Sequence, residues 1–430
     1  MWRLIKNKNF FIFLSAQTIS QFADKLTYIA LIGLIGLYPE NQTSLLLSLL
    51  ALFITLPVLV FGPIVGVLVD RWNKRTVMLF CEALRMLCAL TIPFLFIYTG
   101  SIFLVFVLVF VMFLLNLFFN TARSAIVPNL VARDRILHAN SVINVVSRIA
   151  MVLGMWIGGM IVDWSGWLGI VMLAGWVIAF LFDGLFFGFS ALMLIFLKVD
   201  LKKPVKASSL VDRAIIRRVK SYIRNLHIEL KQALKVIPHN SDLTFTMVSV
   251  LLLFFAGSII YVIVVPTIQK TLAWGTSGVG SLAAIGAVGL VLSATLVGIF
   301  GNRLDLKNLI TIAFIVLGAV LFSFPFLKNF WTVAIATFLG GMAISPVFIV
   351  QDTLIHHSAE EVIRGRVFSI RDWLYNASFM FFSLLVGMLA TFTERNLLFF
   401  IFGVLLALLA IIIRILISRD QSASISSNHS

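Results

Sequence analysis

Twelve runs of about 20 apolar residues, set apart by short polar stretches, constrain this chain more than any other feature, because that is the length of helix that crosses a bilayer. Their limits are 10–37, 43–69, 76–99, 102–121, 139–163, 168–197, 243–269, 277–301, 307–327, 330–353, 365–392 and 396–418. In hydrocarbon each backbone N–H and C=O must be satisfied within the spanning structure itself. The runs therefore predict an all-α membrane protein with 12 transmembrane helices. A charged fraction of 12% over 430 residues excludes a soluble globule, whose surface needs far more charge. The first run follows Arg3, Lys6 and Lys8. It outlasts a signal-peptide h-region and has no small-x-small cleavage site, so a retained first helix is expected.

Basic residues set the expected topology, since translocation disfavours Lys and Arg. With charges at run edges counted with the loops, the even-to-odd hairpins, long linker and termini expected inside hold 26 of the 33 Lys and Arg residues. The loops expected outside hold Lys270, Lys328 and Arg395, and four cations remain within runs. A multi-pass inner (plasma) membrane protein with both termini cytoplasmic is expected. The net charge of +15 then serves topology beside an anionic leaflet, and nucleic acid is not an expected partner. Trp2, Trp72, Trp164, Trp167, Trp274 and Trp331 fall near run ends, as an interfacial aromatic belt would. Cys81 and Cys88 lie in one run without disulfide or CxxC spacing and read as small core residues.

A polar interval divides six runs from six. The expected organisation is an N-terminal half over 1–198, a cytoplasmic linker over 199–242, a C-terminal half over 243–418 and a disordered tail over 419–430. Within the linker, Val211, Ile215, Val219, Tyr222, Leu226, Leu230 and Leu234 recur at helical spacing, with Arg213, Arg217, Lys220 and Arg224 on another face. That pattern predicts an amphipathic helix at the cytoplasmic membrane surface or under the bundle. A faint repeat joins the halves: Gly298-Ile-Phe-Gly-Asn-Arg303, with Asp305 and Lys307, stands between runs 8 and 9 where Gly66-Val-Leu-Val-Asp-Arg-Trp-Asn-Lys-Arg75 stands between runs 2 and 3.

Ionisable groups inside the runs are the candidate functional residues, since each costs about 2.5–3.5 kcal/mol at a helix centre unless paired or hydrated. Asp24 lies about 20 Å into the first run at 1.5 Å per residue, on a polar stripe with Gln17 and Gln21. Proton coupling or substrate binding is expected there, with a structural pair to Lys25 or to another helix as the alternative. Asp183 is the second choice. Glu82 and Arg85, one turn apart, read first as an intrahelical pair in the cytoplasmic third that can be rehydrated. Arg148 and Arg371 lie near cytoplasmic ends, within snorkelling reach. Asp372, Trp373, Tyr375, Asn376 and Ser378 in run 11, with Tyr261 in run 7, offer an amphiphilic cavity wall.

The segment Gly66 to Arg75 resembles the G-x-L-x-D-R-x-G-[RK]-[RK] signature between helices 2 and 3 of the major facilitator superfamily. Asn120-Thr-Ala-Arg-Ser-Ala-Ile-Val-Pro-Asn-Leu-Val131 with His138-Ala-Asn140, and Arg364-Gly-Arg-Val-Phe-Ser369, resemble its drug:H+ antiporter-3 branch, which includes macrolide and enterobactin exporters. The resemblance implies two six-helix halves working by alternating access, a small-molecule or lipid-like substrate, a proton as coupling ion, and a monomer. It also implies a conformational switch in which Gly66, Asp70, Arg71 and Arg75 meet the start of helix 11 at Arg364 and Arg366. Three departures stand out. Asn73 replaces a glycine, as a residue that also enters left-handed turns; no arginine precedes Arg123 in run 4; and Met155 stands where the exporter pattern of helix 5, here Gly154-Met-Trp-Ile-Gly-Gly159, has proline.

The main expectation is thus a proton-coupled exporter of a small amphiphilic compound, such as a drug, siderophore or metabolite. The alternative is a lysophospholipid transporter of the same superfamily, which shares the helix-1 acid and the Ala139-Asn140 region. No GxxxxGK[ST] or HExxH occurs, and His356-His357 lacks zinc spacing, so neither an ATP-driven pump nor an intramembrane protease is expected, and no enzyme, cofactor or resident metal. Ferroportin-like metal export would want ligands that Cys81 and Cys88 alone do not supply.

Overall fold

The computed structural model of the chain describes residues 7–170, 172–198 and 237–427. The linker helix expected at 211–234 lies outside the described residues, which are otherwise built from helices. These are α1 (Lys8–Ile35), α2 (Glu40–Arg71), α3 (Lys74–Thr99), α4 (Ile102–Leu130), α5 (Ile136–Asp163), α6 (Gly175–Phe196), α7 (Ser241–Ile259), α8 (Gly275–Phe300), α9 (Leu306–Ser323), α10 (Phe330–Ser358), α11 (Glu361–Phe392) and α12 (Arg395–Ser427). Each expected run falls on one of them. Eleven hold a stretch apolar enough to cross a membrane; α1 falls short because Gln17, Gln21, Asp24 and Lys25 interrupt it. Several helices overrun the apolar limits, since a helix can continue where its side chains turn polar. α4 runs past Arg123 to Leu130, and α12 to Ser427.

Two elements depart from the expected pattern. α6 begins at Gly175 rather than 168, after a separate five-residue helix at Gly166–Ile170. The cause is a close approach: the backbone of Gly175 lies so near the Val162 carbonyl that a Cβ there would collide with it. α7 does not continue as an α-helix to 269 but widens into π-turns at Ile260–Val264 and Thr267–Thr271. Pro266 between them has no N–H to continue the i→i−4 ladder.

The repeat is visible in the hairpins. Asn73 accepts from the Thr76 N–H at 3.2 Å and so caps α3, with φ −66° and ψ 111°. It is a helix cap, not the left-handed turn residue expected of a glycine substitute. At the corresponding place Asp305 caps α9, accepting from the Lys307 and Asn308 N–H groups at 2.8 and 3.0 Å.

The helices form two compact units. The first holds the described parts of Met1–Tyr38, Leu52–Tyr222 and Trp274–Ser281; the second holds those of Pro39–Ala51, Ile223–Ala273 and Leu282–Ser430. Within the first, α1 packs on α5 and α6, and α3 on α4 and α6. Within the second, α7 packs on α11 and α12, and α9 on α10 and α12, which is the same scheme six helices later. α5 approaches α1 through its glycines: a Cβ at Gly158 would meet the Ile29 and Leu26 side chains, and one at Gly154 the Phe22 carbonyl. The glycine pattern of helix 5 is therefore a packing surface for α1.

A hydrophobic core built on Phe10, Phe13, Val69, Met78, Phe119 and Leu194 closes one end of the first unit. Elsewhere the usual distribution is inverted, with Phe80, Phe94, Ile97 and Phe103 on the outside of α3 and α4. Water would not tolerate such a continuous apolar exterior, and hydrocarbon requires it.

Candidate transport site

Four residues of α1 lie on one helical face at steps of three and four: Gln17, Ser20, Asp24 and Thr27. α3 turns Glu82 and Arg85 toward that face, and α6 adds Asp183 and Phe187. The Arg85 guanidinium ion-pairs with Asp24 and, at 3.2 Å, with Glu82. Ser20 donates to Glu82 Oε1 at 2.9 Å, and Arg85 Nη1 donates to Ser20 Oγ at 3.4 Å. The Phe187 ring centroid lies 4.0 Å beneath the guanidinium carbon. Thr27 donates its hydroxyl to Asp183, Gln21 donates to Asp24 at 3.2 Å, and Gln17 donates to Ser147 of α5.

The cluster is dry. Glu82 and Asp183 are 0% exposed and Arg85 2%, while the Asp24 side chain is 13% exposed. Three carboxyl groups thus surround one guanidinium, which ion-pairs with two of them, Asp24 and Glu82. Removing a buried ion from water costs several kcal/mol, which a partner repays only when geometry and hydrogen bonds are good. Asp24 has that partner; Asp183 has one hydroxyl. Glu82 Oε2, Asp183 Oδ1 and Gln17 Oε1 accept no hydrogen bond among the described residues. These buried acceptors are open positions for a proton or for a donor on a ligand.

Of the two structural partners expected for Asp24, it is the other helix that supplies one: Asp24 pairs with Arg85 of α3, while the Lys25 ammonium lies 5.7 Å from the Tyr28 ring centroid. Glu82 and Arg85 form the expected intrahelical pair, in the first half of α3, and both side chains are buried.

In the second unit the polar centre is neutral. Gln351 of α10 donates to Ser249 of α7 at 2.8 Å and accepts from the Tyr375 hydroxyl of α11 at 2.9 Å. Tyr261 is buried in the first π-turn, its ring 5.7 Å from that of Phe379. Arg371 pairs with Asp352 and with Asp372 at 2.9 Å, and stacks on Phe368 and Tyr375 at 4.7 and 5.0 Å. The expected cavity wall is split: Tyr375 joins the buried network, while Trp373 and the Asp372 carboxylate are exposed. Asn376 donates to the Asp372 backbone carbonyl at 3.0 Å.

A family model described as the Major Facilitator Superfamily matches residues 13–264 and 246–429. The chain belongs to that superfamily. It is similar to an uncharacterized MFS-type transporter, YfiS of Bacillus subtilis (strain 168), with 28% identity over 149 residues, which is 35% of this chain and 34% of YfiS. It is similar also to the multidrug resistance protein MdtG of Salmonella arizonae, with 30% identity over 100 residues, 23% of this chain and 24% of MdtG. These alignments span 34% of YfiS and 24% of MdtG, so the chain matches only about a third or a quarter of the length of these relatives. Two solved structures share the fold: a bacterial homologue of the lysosomal transporter Spinster, at 13% identity, TM-score 0.68 and 96% coverage of both chains; and a bacterial homologue of the iron transporter ferroportin, at 13% identity, TM-score 0.69, covering 95% of this chain and 98% of that one.

As a member of the superfamily the chain is a multi-span membrane protein. Its motif residues are placed as follows. Gly66 lies in the last two turns of α2, Asp70 is exposed near its end, and the Asp70 backbone carbonyl accepts from Lys74 Nζ at 2.6 Å. Arg71 is the last residue of α2. The Arg75 guanidinium donates to the Leu194 carbonyl at the end of α6 at 2.9 Å. Arg364, in the first turn of α11, donates to the Ala359 carbonyl at 3.4 Å, and Arg366 follows it half a turn on.

Sequence reasoning missed Ser20, Thr27, Ser249 and Gln351. Hydroxyl and amide side chains inside apolar runs usually satisfy their own helix, as Thr311 does with the Lys307 carbonyl at 2.9 Å, so none stood out singly. The signal that could have found Ser20 and Thr27 is their helical register with Asp24.

Proposed function

We propose that the chain is a proton-coupled secondary transporter that exports a small amphiphilic compound by alternating access, in the manner of the drug:H+ antiporter-3 branch. The observation that carries the reading is the charge count of the α1–α3–α6 cluster, three buried carboxyl groups around one guanidinium. Such a set is balanced only when protons, or a cationic group of the substrate, make up the difference. Loading and unloading of those protons on opposite membrane faces is the coupling step. Asp24, on a helix 1 stripe and paired with Arg85, exchanges its ion pair for a proton; Glu82 and Asp183 take up the remaining charge change.

The neutral network of Gln351, Ser249 and Tyr375, with Tyr261 in the π-turn that follows α7, supplies amide, hydroxyl and aromatic contacts for the substrate. Asp70 and Arg71 with Arg364 and Arg366 form the conformational switch, biasing the transporter between access states without touching substrate. The inner membrane, with both termini cytoplasmic, is the assigned location. The partial likeness to a relative named for multidrug resistance supports the export direction.

The deciding experiment is efflux and uptake of a compound panel, lysophospholipid included, in proteoliposomes under an imposed pH gradient. Gradient-driven movement of an amphiphilic compound is expected. In Asp24→Asn that movement should stop while substrate counterflow persists, because exchange between two substrate pools needs no proton cycle. Parental gradient-driven rates in Asp24→Asn remove the coupling role from this residue.

A further inference from the structure

On the outside of the first unit a cavity of about 800 Å³ opens between α1 and α6, at the end where α1 begins and α6 finishes. Its walls are apolar: Phe11 and Ile12 on one side, Leu192, Met193 and Phe196 on the other, with Ser15 at its depth. Lys8, the first residue of α1, and Lys198, two residues past the end of α6, stand at its mouth. Asn9, next to Lys8, accepts from the Lys198 backbone N–H at 3.4 Å and so ties the start of α1 to the end of α6. Both lysines are exposed, as are Phe11 and Phe196, at 50% and 61%. From Lys8 to Ser15 is about 10 Å along the helix.

A groove with two ammonium groups at its mouth and about 10 Å of aliphatic and aromatic wall below them matches one class of molecule in both charge and shape. We propose that it binds an anionic phospholipid, the phosphate between Lys8 and Lys198 and the start of an acyl chain along Phe11, Leu192 and Phe196. Basic residues beside a membrane attract anionic headgroups individually, and a groove that also orders the chain distinguishes a site from the surrounding lipid. The groove is separate from the carboxylate cluster and opposite to it in charge, so one ligand does not serve both. α1 links the two, since it carries Lys8 at its start and Asp24 sixteen residues on. A lipid seated at its first turns restrains the helix that bears the ion pair.

The test uses the full chain in nanodiscs of mixed phosphatidylglycerol and phosphatidylcholine, the same in both leaflets so that the result does not depend on topology. Lipid retained after release is counted by native mass spectrometry. The parent should retain at least one phosphatidylglycerol in preference to phosphatidylcholine. Lys8→Gln with Lys198→Gln should weaken that preference by about thirtyfold, the effect of two lysines at an anionic surface, while Lys328→Gln should leave it unchanged. Lys8→Arg with Lys198→Arg should retain it. Ser15→Trp, which fills the groove without altering charge, should lower retention of both lipids. Equal retention of the two lipids by the parent, or an undiminished preference in the double Gln variant, overturns the proposal. Unchanged retention in Ser15→Trp overturns the groove as its seat.

Discussion

The same helix-packing scheme is used twice in this chain, with opposite electrostatics. In the first unit α1, α3 and α6 enclose Asp24, Glu82, Arg85 and Asp183; in the second, α7, α10 and α11 enclose Ser249, Gln351 and Tyr375. Among the described residues the second unit has no fully buried carboxylate. Its acids sit at helix ends or on exposed faces, as Asp242 does where it pairs with Lys307 at 2.6 Å. Backbone repetition therefore does not carry chemistry with it. Buried charge is concentrated in one half and neutral hydrogen bonding in the other, a division that suits the proposed transporter, in which a proton and a substrate bind to different elements.

The strongest way to break this contrast is to remove the only cation of the first cluster. Arg85→Met should destabilise the protein by about 3–5 kcal/mol, because the carboxylates it serves remain buried without a partner. Thermal unfolding in detergent measures this, and adding Asp24→Asn should recover part of the loss. Parental stability in Arg85→Met would mean that the cluster is neutral without its arginine, and that the difference between the units is only one of composition.

Asp183→Asn should have a smaller effect on stability and a large one on transport. The Thr27 hydroxyl still finds an amide oxygen, so folding should change by about 1 kcal/mol or less. Gradient-driven export should fall at least tenfold, with counterflow kept. An unchanged gradient-driven rate would confine the coupling chemistry to Asp24 and Glu82.

The matching substitution in the second unit sharpens the comparison. Gln351→Leu removes bonds to Ser249 and Tyr375 and should cost about 1–3 kcal/mol. It should alter substrate affinity while leaving the dependence of rate on the pH gradient as in the parent. A changed proton stoichiometry, read from pyranine-reported proton flux per substrate, would show that coupling is not confined to the first unit.

The smallest effect is expected outside both centres. Asp70→Asn, at an exposed helix end, should leave unfolding within about 0.5 kcal/mol of the parent. Turnover should slow several-fold with substrate affinity kept, and an equal turnover removes Asp70 from the switch.

How much of this was legible varies with the kind of interaction. The polar stripe of α1 could be read because Gln17, Gln21 and Asp24 interrupt an apolar run at helical spacing, and a charge in such a run stands out. The Glu82–Arg85 pair could be read because i,i+3 residues of one helix are neighbours wherever the helix is placed. Its burial could not, since depth along α3 depends on how α1 and α6 cover it. The split of the run-11 cavity was hidden for a similar reason: Trp373 and Tyr375 are two residues apart, so a helix points them about 200° from one another, and only the neighbours decide which face is inside. The late start of α6 came from the Gly175 backbone lying against Val162, a contact that hydropathy does not register.

By itself the sequence determined the class of molecule, the twelve helices and the face of α1 that bears its acid, because bilayer thickness and the 3.6-residue turn act on each segment separately. The tertiary structure decided which groups meet. Asp24 is held by Arg85, Asp183 by Thr27 and Gln351 by Ser249, partners 61, 156 and 102 residues apart. Periodicity states which way a side chain points, and only the packing of helices against one another states what it points at.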